Sequence, residues 1–443
     1  MRRTKPYCSA SPTAPSRKRW RYGANSATEP PPGPTATIER IMEHHPVVIS
    51  GAGPVGLVAA LSLAQKGIAV VVLESEDHIP QDLRAGTFHP PTVEMLDTLN
   101  IGETLRSRAL RVPEWQIRDR KQGLVAQFDL GIIADLTPYP FRLHVEQHKL
   151  SSIAAEALAQ HAHAQILFSH RCLGYEQDAD GVTVQAAGPD GRTIEIRASY
   201  VIGADGARSV VRKTMGTEFE GFTWPERFLV FATRYDLREQ GYTGNAYIAD
   251  PDEWSAIFIQ PHDGPPPIWR IAFPIPAEMD ETEVLDPDFV QGKIKGFLSP
   301  DLDYDVPYKS VYRVHQRVAK DFRDGRVMLA GDAAHVNNPL GGMGLNSGIH
   351  DAMNLTAKLA EVLLHGASSD LLDRYHRQRR TVNVEYVQAI TIRNKRLLEE
   401  RDPEVRRERL DELRATVADR DAHRQYLINS SMIASIRRAN EIQ

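Results

Sequence analysis

The stretch from Val47 to Glu74 constrains this chain more than any other. No residue from Pro46 to Gln65 is charged, so a hydropathy scan would offer a membrane span of about 20 residues. The glycines argue otherwise. Val47-Val48-Ile49 reads as a short buried strand, Gly51-Ala52-Gly53-Pro54-Val55-Gly56 as a tight turn, and Leu57 to Gln65 as an apolar helix. After Lys66-Gly67, the run Ala69-Val70-Val71-Val72-Leu73 reads as a second buried strand ending in Glu74. A strand, turn, helix and strand within about 30 residues is the setting in which G-x-G-x-x-G has physical meaning.

Each glycine in that turn has its own task. Gly51 permits the reversal, Gly53 lets backbone N–H groups approach a pyrophosphate, and Gly56 lets the helix pack closely on the sheet. Glu74 is placed to accept hydrogen bonds from ribose hydroxyls, so the unit predicts an adenine dinucleotide site. The fingerprint alone does not separate NAD from FAD. Three later segments bear on that choice: Asp82-Leu83-Arg84-Ala85-Gly86; Val201-Ile202-Gly203-Ala204-Asp205-Gly206 running on to Arg212; and Arg326 to His335 followed by Pro339 to Gly348. Asp332 follows the apolar run Val327 to Ala330 and precedes Ala333-Ala334, which puts a carboxylate at the end of a buried strand. Gly341, Gly342, Gly344 and Gly348 remove side chains just before a helix expected over 349–364, leaving its N-terminal N–H groups to face an electron-rich ring. Pro339 stiffens the loop before it.

With its G-x-G-x-x-G, D-G and G-D motifs in this order, the sequence resembles, over about residues 46 to 400, the single-component flavoprotein aromatic hydroxylases typified by 4-hydroxybenzoate hydroxylase. The resemblance implies bound FAD, NADPH or NADH as a transient co-substrate, and O₂. Oxygen transfer from a flavin C4a-hydroperoxide to a phenol-like aromatic or heteroaromatic ring is the implied reaction. It further implies that Asp205 and Gly206 serve both FAD and NAD(P)H, that Asp332 binds the ribityl chain with Gly331 in the cofactor set, that Arg84 contacts FAD, and that Gln147 lies near the ribityl chain. Pro339, Gly341 and Gly342 would form the loop at the flavin ring, with Gly344, Leu345 and Asn346 completing the cofactor set. The catalytic base stays unassigned among His89, Tyr247 and His262. Oxygen insertion of the Baeyer–Villiger kind, epoxidation of a polyketide or terpenoid, and a non-catalytic flavin-binding protein stay open. A two-dinucleotide reductase is disfavoured, because a second G-x-G-x-x-G and a C-x-x-C are both missing from the sequence. A flavin halogenase is disfavoured by the single Trp in Ile268 to Pro276. His335 reads as a packing or hydrogen-bonding residue.

The expected architecture is α/β: a Rossmann-type FAD-binding domain with a parallel sheet and helices, an inserted mixed or antiparallel substrate sheet, and C-terminal helices. Runs at 228–235, 245–249, 254–260 and 268–273, broken by Gly, Pro and Asp, supply the inserted strands. They offer Tyr247, Trp254, Trp269 and Phe273 as aromatic substrate contacts, although alternation cannot say which face meets the pocket. The expected units are a basic leader (1–41), a cofactor domain carrying part of the substrate sheet (42–221), the main substrate sheet (222–313), the G-D segment (314–365) and a helical region (366–443). Ending at Gln443, the chain is expected to lack the further C-terminal domain of some phenol hydroxylases. Arg-dense runs after 371 are interleaved with Glu and read as solvated helix faces, with no nucleic-acid partner.

Composition adds one point. The formal charge is −5 over 443 residues, yet residues 1–41 hold eight basic and two acidic side chains, which leaves −11 on the remainder. This Pro-, Ser- and Thr-rich leader shows no apolar periodicity and reads as disordered. Three readings of it stand: an organellar targeting segment, a regulatory arm, or an extension ahead of a natural start at Met42. Two cysteines, Cys8 and Cys172, are too few for a zinc site or a disulfide framework. A cytoplasmic monomer or homodimer without stable membrane insertion, acting on a small aromatic substrate, is the expectation.

Overall fold

A computed structural model describes residues 47–81, 86–298 and 300–443. The leader therefore lies outside the described residues, and so does Arg84. Val47–Ser50 and Val70–Leu73 are entirely buried strands, as their unbroken β-branched runs require when both faces of a parallel sheet are covered. They belong to a six-stranded sheet ordered Arg323–Asp324, Val327–Leu329, Tyr200–Gly203, Val47–Ser50, Val70–Leu73, Ala164–Leu167. Every pairing is parallel except the antiparallel edge strand Arg323–Asp324.

The order places Val47–Ser50 between strands reached in opposite directions along the sheet. A crevice opens at the carboxyl ends of strands at such a switch point. Ladder-like bonds run past the strand ends and tie the three motifs together: Gly51 N–H donates to Leu73 at 2.7 Å, Ala204 N–H to Ser50 at 2.9 Å and Ala330 N–H to Gly203 at 2.9 Å. The Pro54–Ala64 helix begins with proline at its first turn and is buried along nearly its whole length. Its neighbours are the Gln147–Leu158 and Gly344–His365 helices.

A second sheet of eight strands is mixed, as expected. Its order is His335–Val336, Tyr308–Ala319, Phe219–Thr233, Ile268–Ile275, Ser255–Gln260, Asn245–Ala249, Glu114–Asp119, Gly123–Asp129. Two strands come from upstream of residue 222 and one from the third motif's own segment, so the sheet is stitched to the cofactor unit along both edges. Two smaller three-stranded sheets complete the β structure among the described residues.

The helical region differs from the sequence reading in two places. The helix expected from 349 begins at Gly344, so Gly344 and Gly348 are inside it. At Gly348 an added Cβ would stand 2.6 Å from Val55 Cγ2 and 3.1 Å from Gly331 Cα; the glycine serves close packing of the helix on the first and third motifs. The segment expected to be helical throughout 371–400 is interrupted by a π-helical turn, Asn383–Gln388. Among the described residues no helix is long and apolar enough to cross a membrane.

Candidate active site

The first glycine turn is shaped by close backbone approach. Gly51 has φ +104°, and a Cβ there would lie 2.5 Å from the Ala204 carbonyl oxygen. At Gly56 a Cβ would come within 2.0 Å of the Gly51 carbonyl oxygen. Gly53 is different, because a Cβ there meets no protein atom within 4 Å. Its absent side chain keeps a surface bare at the start of a helix, the arrangement that suits a pyrophosphate. Glu74 is bound to this turn: Oε2 accepts from Ala52 N–H at 2.8 Å, and Oε1 from Glu76 N–H at 3.0 Å.

The second motif is organised by Asp205. One carboxylate oxygen accepts from the N–H groups of Val210 (2.8 Å) and Val211 (3.2 Å) and so caps the helix Val210–Met215. The other, Oδ1, is buried and has no hydrogen-bond partner. Gly206 beside it has φ +77° and open space where a Cβ would be. Arg212, which the motif reading passed over, donates to Ala207 O at 2.7 Å and Ala333 O at 2.9 Å, joining the second motif to the third.

The third motif turns at Gly331, with φ +61°. Its N–H donates to Asp351 Oδ2 at 3.0 Å, and the same carboxylate binds His335 Nε2 at 2.7 Å and Arg379 Nε at 2.6 Å. Burial alone would raise the Asp351 pKa, but His335 and Arg379 outweigh it and hold the carboxyl below the ordinary range. Asp332 is exposed, while Ala330, Gly331, Ala333 and Ala334 around it are buried. Its carboxylate thus sits at the open end of the strand. Gln147 is the half-buried first residue of the Gln147–Leu158 helix.

The loop Pro339–Gly342 is held from three sides. Gly341 (φ +116°) and Gly342 (φ +66°) adopt conformations that favour glycine. Gly341 N–H donates to the Tyr247 hydroxyl at 3.0 Å, and its carbonyl accepts from His89 Nε2 at 2.9 Å. Asn346 accepts from His89 N–H at 2.8 Å and donates to Thr87 O at 2.8 Å and Gly342 O at 2.6 Å. Its amide is thereby committed to positioning the loop. From the other side, Gln316 receives the N–H and side-chain amide of Asn338 (both 3.1 Å) and donates to Gln388 (2.6 Å) and Thr391 (2.9 Å). The π-helical turn brings those last two onto one amide. Met343 gives the following helix no side-chain cap, which leaves the first-turn amides from Gly344 to Asn346 without intrahelical acceptors.

Two nominated bases acquire other roles. His89 is completely buried and pushed down to about 3, chiefly by that burial and by nearby Arg142. A neutral ring donating to Gly341 is a loop anchor, not a proton acceptor near neutral pH. His262 lies in a surface turn, where its N–H donates to Glu146 at 2.7 Å.

The aromatic nominations divide by strand parity. Tyr247 pairs with Ala256, and Asn245 with Phe258, on the face that packs with Leu340 of the ring loop. Trp269 and Phe273 point the other way and are wholly buried with Val290 and Ile294 of the Pro287–Lys295 helix. They are core residues and do not reach the ring loop. Trp254 shares the core of Tyr247 and stacks edge-on against Phe228 at 4.9 Å. It also lines an outer cleft of about 600 Å³ with Glu226, Arg396, Glu400 and Arg401. No residue of the glycine motifs lines that cleft.

Residues 44–390 match the FAD binding domain family. The chain belongs to the FAD-dependent aromatic monooxygenases. Its sequence is 36% identical over 385 residues to para-nitrophenol 4-monooxygenase of Pseudomonas sp. (strain WBC-3), covering 86% of this chain and 94% of that one. It is 34% identical to 6-hydroxy-3-succinoylpyridine 3-monooxygenase of Pseudomonas putida (strain DSM 28022 / S16), over 77% and 86% of the two chains. Among solved structures it is similar to p-nitrophenol 4-monooxygenase from Pseudomonas putida DLL-E4, with TM-score 0.84, 34% identity and 89% and 98% coverage. Aklavinone-11 hydroxylase, solved with FAD and aklavinone, gives TM-score 0.70 at 30% identity, covering 80% of this chain and 69% of that one. The crevice fits FAD: a bare glycine at the helix start, a buried oxygen on Asp205 without a hydrogen-bond partner and the exposed residue Asp332 all lie just past the ends of buried strands. This monooxygenase therefore has FAD as its cofactor, as the sequence motifs implied.

Proposed function

We propose that this FAD-dependent monooxygenase hydroxylates a small phenol-like or hydroxypyridine ring, using NADPH or NADH and O₂. One observation carries the reading: the ring loop is bonded through Gly341 to Tyr247, on a sheet face lined by Trp115, Tyr247 and Phe258. Relatives that span nearly their whole length with this chain act, by name, on a nitrophenol and a hydroxylated pyridine. When bound, FAD supplies two-electron reduction by the nicotinamide and activation of O₂.

The chain's own residues hold and shield the reacting groups. Gly51, Gly53, Gly56 and Glu74 would take the adenosine and pyrophosphate, with Arg84; Gln147, Asp205, Gly206, Gly331 and Asp332 would take the ribityl region. The first-turn amides of Gly344 and Leu345 would face the ring and stabilise negative charge there. The aromatic face would exclude water from the ring and the substrate. On this reading residues 42–221 and 314–365 form the cofactor unit, 222–313 most of the substrate sheet and 366–443 the helical buttress, in a cytoplasmic monomer or homodimer.

The test is NADH and NADPH consumption with O₂ uptake across phenols, hydroxybenzoates, hydroxypyridines and cyclic ketones, with product masses measured. A phenol or hydroxypyridine that stimulates both and gains one oxygen atom is the expected result. Stimulation by ketones alone, with ester or lactone products, would overturn the reading.

A further inference from the structure

Beside the ring loop lies a charge that no carboxylate among the described residues neutralises. Arg142, in the strand Arg142–His144, is 2% exposed. Its guanidinium lies 4.6 Å from the centre of the Trp115 ring and donates through Nη1 to Asn245 Oδ1. Nε is buried without a hydrogen-bond partner. Among the described residues no carboxylate forms an ion pair with it, although 26 other pairs of basic and acidic side chains occur among them.

The neighbours leave that charge uncompensated. Asn245 is committed, since its amide donates to Ile257 O at 3.2 Å. His144 bonds Ile259 O at 2.9 Å, and both it and His89 are held neutral, pushed down to about 3 by burial. Tyr247 stands next to Arg142, stacks edge-on with Trp115 at 5.9 Å, and already accepts the Gly341 N–H. Its own proton remains available to donate. Arginine does not shed its proton in a protein, so the cluster is positive at every working pH. A buried cation without an anion is costly, and it persists where a ligand completes it.

We propose that Arg142, with the Tyr247 hydroxyl beside it, receives a negatively charged oxygen carried on the aromatic substrate. This deepens the function proposed above and rests on it. It also removes the need for a protein base. A phenol that ionises in water and binds as its phenolate leaves its proton in the solvent, and arrives with the electron-rich ring that oxygen transfer requires. No bond is made or broken in this step. A neutral ring of the same shape would leave the guanidinium unanswered, so the site selects by charge as well as by size.

The experiment is equilibrium binding to the full-length, FAD-loaded, oxidised protein without NAD(P)H, followed by flavin absorbance and by the colour of the probe. The probes are 4-nitrophenol, its neutral isostere 4-nitroaniline, and benzoate, which carries a carboxylate and no phenol. The wild type is expected to prefer an anionic probe over 4-nitroaniline. Arg142→Gln should weaken that anion by about ten- to a hundredfold, with Arg142→Lys recovering part of the loss. Binding of 4-nitrophenol as the phenolate, below the pH at which it ionises in water, identifies the ring oxygen as the ligand; Arg142-dependent binding of benzoate identifies an acidic substituent instead. If the wild type binds 4-nitrophenol, benzoate and 4-nitroaniline alike, or Arg142→Gln binds them all as the wild type does, the proposal is overturned. A shift in flavin potential in Arg142→Gln with anion binding unchanged overturns it as well, and assigns the residue to the cofactor. Should Arg142→Gln fail to fold, the wild-type preference and the Arg142→Lys variant still decide. Turnover is absent from the assay, so Arg142-dependent anion binding without phenol-stimulated NAD(P)H oxidation would count against the proposed reaction and not against this site.

Discussion

Two glycines three positions apart in the first turn should behave in opposite ways when each is changed to alanine. At Gly56 the new Cβ would stand 2.0 Å from the Gly51 carbonyl oxygen, with Ala204 Cβ at 3.4 Å behind it. The obstruction is backbone, so the turn and the Pro54–Ala64 helix must separate by about 1 Å to reach a tolerable contact. Overpacking of that kind costs about 1–3 kcal/mol, and an unyielding carbonyl argues for the upper end. At Gly53 the Cβ meets nothing within 4 Å, and the backbone (φ −70°, ψ 175°) is one that alanine adopts freely. The gain from a less flexible unfolded chain, about 0.4–1 kcal/mol, roughly offsets a loss on the order of 0.5–1 kcal/mol because glycine is preferred to alanine at a helix N-cap. Apoprotein stability in Gly53→Ala should therefore stay within about 0.5 kcal/mol of wild type. Its FAD affinity should fall by about tenfold or more, equivalent to about 1.4 kcal/mol, because the methyl group enters the space reserved for the pyrophosphate. Urea unfolding of the apoproteins and FAD titration by flavin fluorescence separate the two effects. Measuring only the holoprotein would merge them, since ligand binding itself adds stability. An apo Gly53→Ala as unstable as Gly56→Ala, or a Gly53→Ala that binds FAD like the wild type, would refute the reasoning.

Three further expectations follow from the site. Asp351→Asn should lose about 3–5 kcal/mol, because it strands the buried Arg379, and should loosen FAD through Gly331; urea unfolding and flavin retention check both. The wild-type carboxyl titrates below the ordinary range, so its contribution is present above that range and lost as acid carries the pH down through the lowered value. His89, His144 and His350 are each pushed down from 6.5 to about 3. They bind protons more readily unfolded than folded, so stability should be full above about pH 6.5 and decline below it; a flat urea midpoint between about pH 7 and 5 would contradict this. Gln316→Ala should leave the fold intact at a cost of about 1–3 kcal/mol, yet raise wasteful NAD(P)H oxidation relative to product formed, because the amide fixing Asn338 and the ring loop is gone.

Much of the cofactor crevice was legible in the residues, and little of the substrate side. Gly51, Gly56 and Gly331 announce themselves because each answers a backbone demand arising within a few residues or at one contact. Val47–Ser50 and Val70–Leu73 are legible because burial on both faces forces unbroken apolar runs. Trp269 and Phe273 misled because aromatic content is visible in a sequence while strand facing is not. One residue of register decides whether a side chain meets the ring loop or the opposite helix.

The amino-acid order by itself determined the dinucleotide turn, the three strand-end motifs and the run of strands between the second and third of them. Those features depend on local spacing, which is written along the chain. The tertiary structure alone decided that Asp351 holds Gly331, that Gln316, held in turn by the π-helical turn, braces the ring loop, and that Arg142 stands beside Tyr247 with no carboxylate among the described residues to answer it. Such partners lie tens to hundreds of residues apart in sequence. Their meaning comes from what is missing around a buried charge, and only folding reveals an absence.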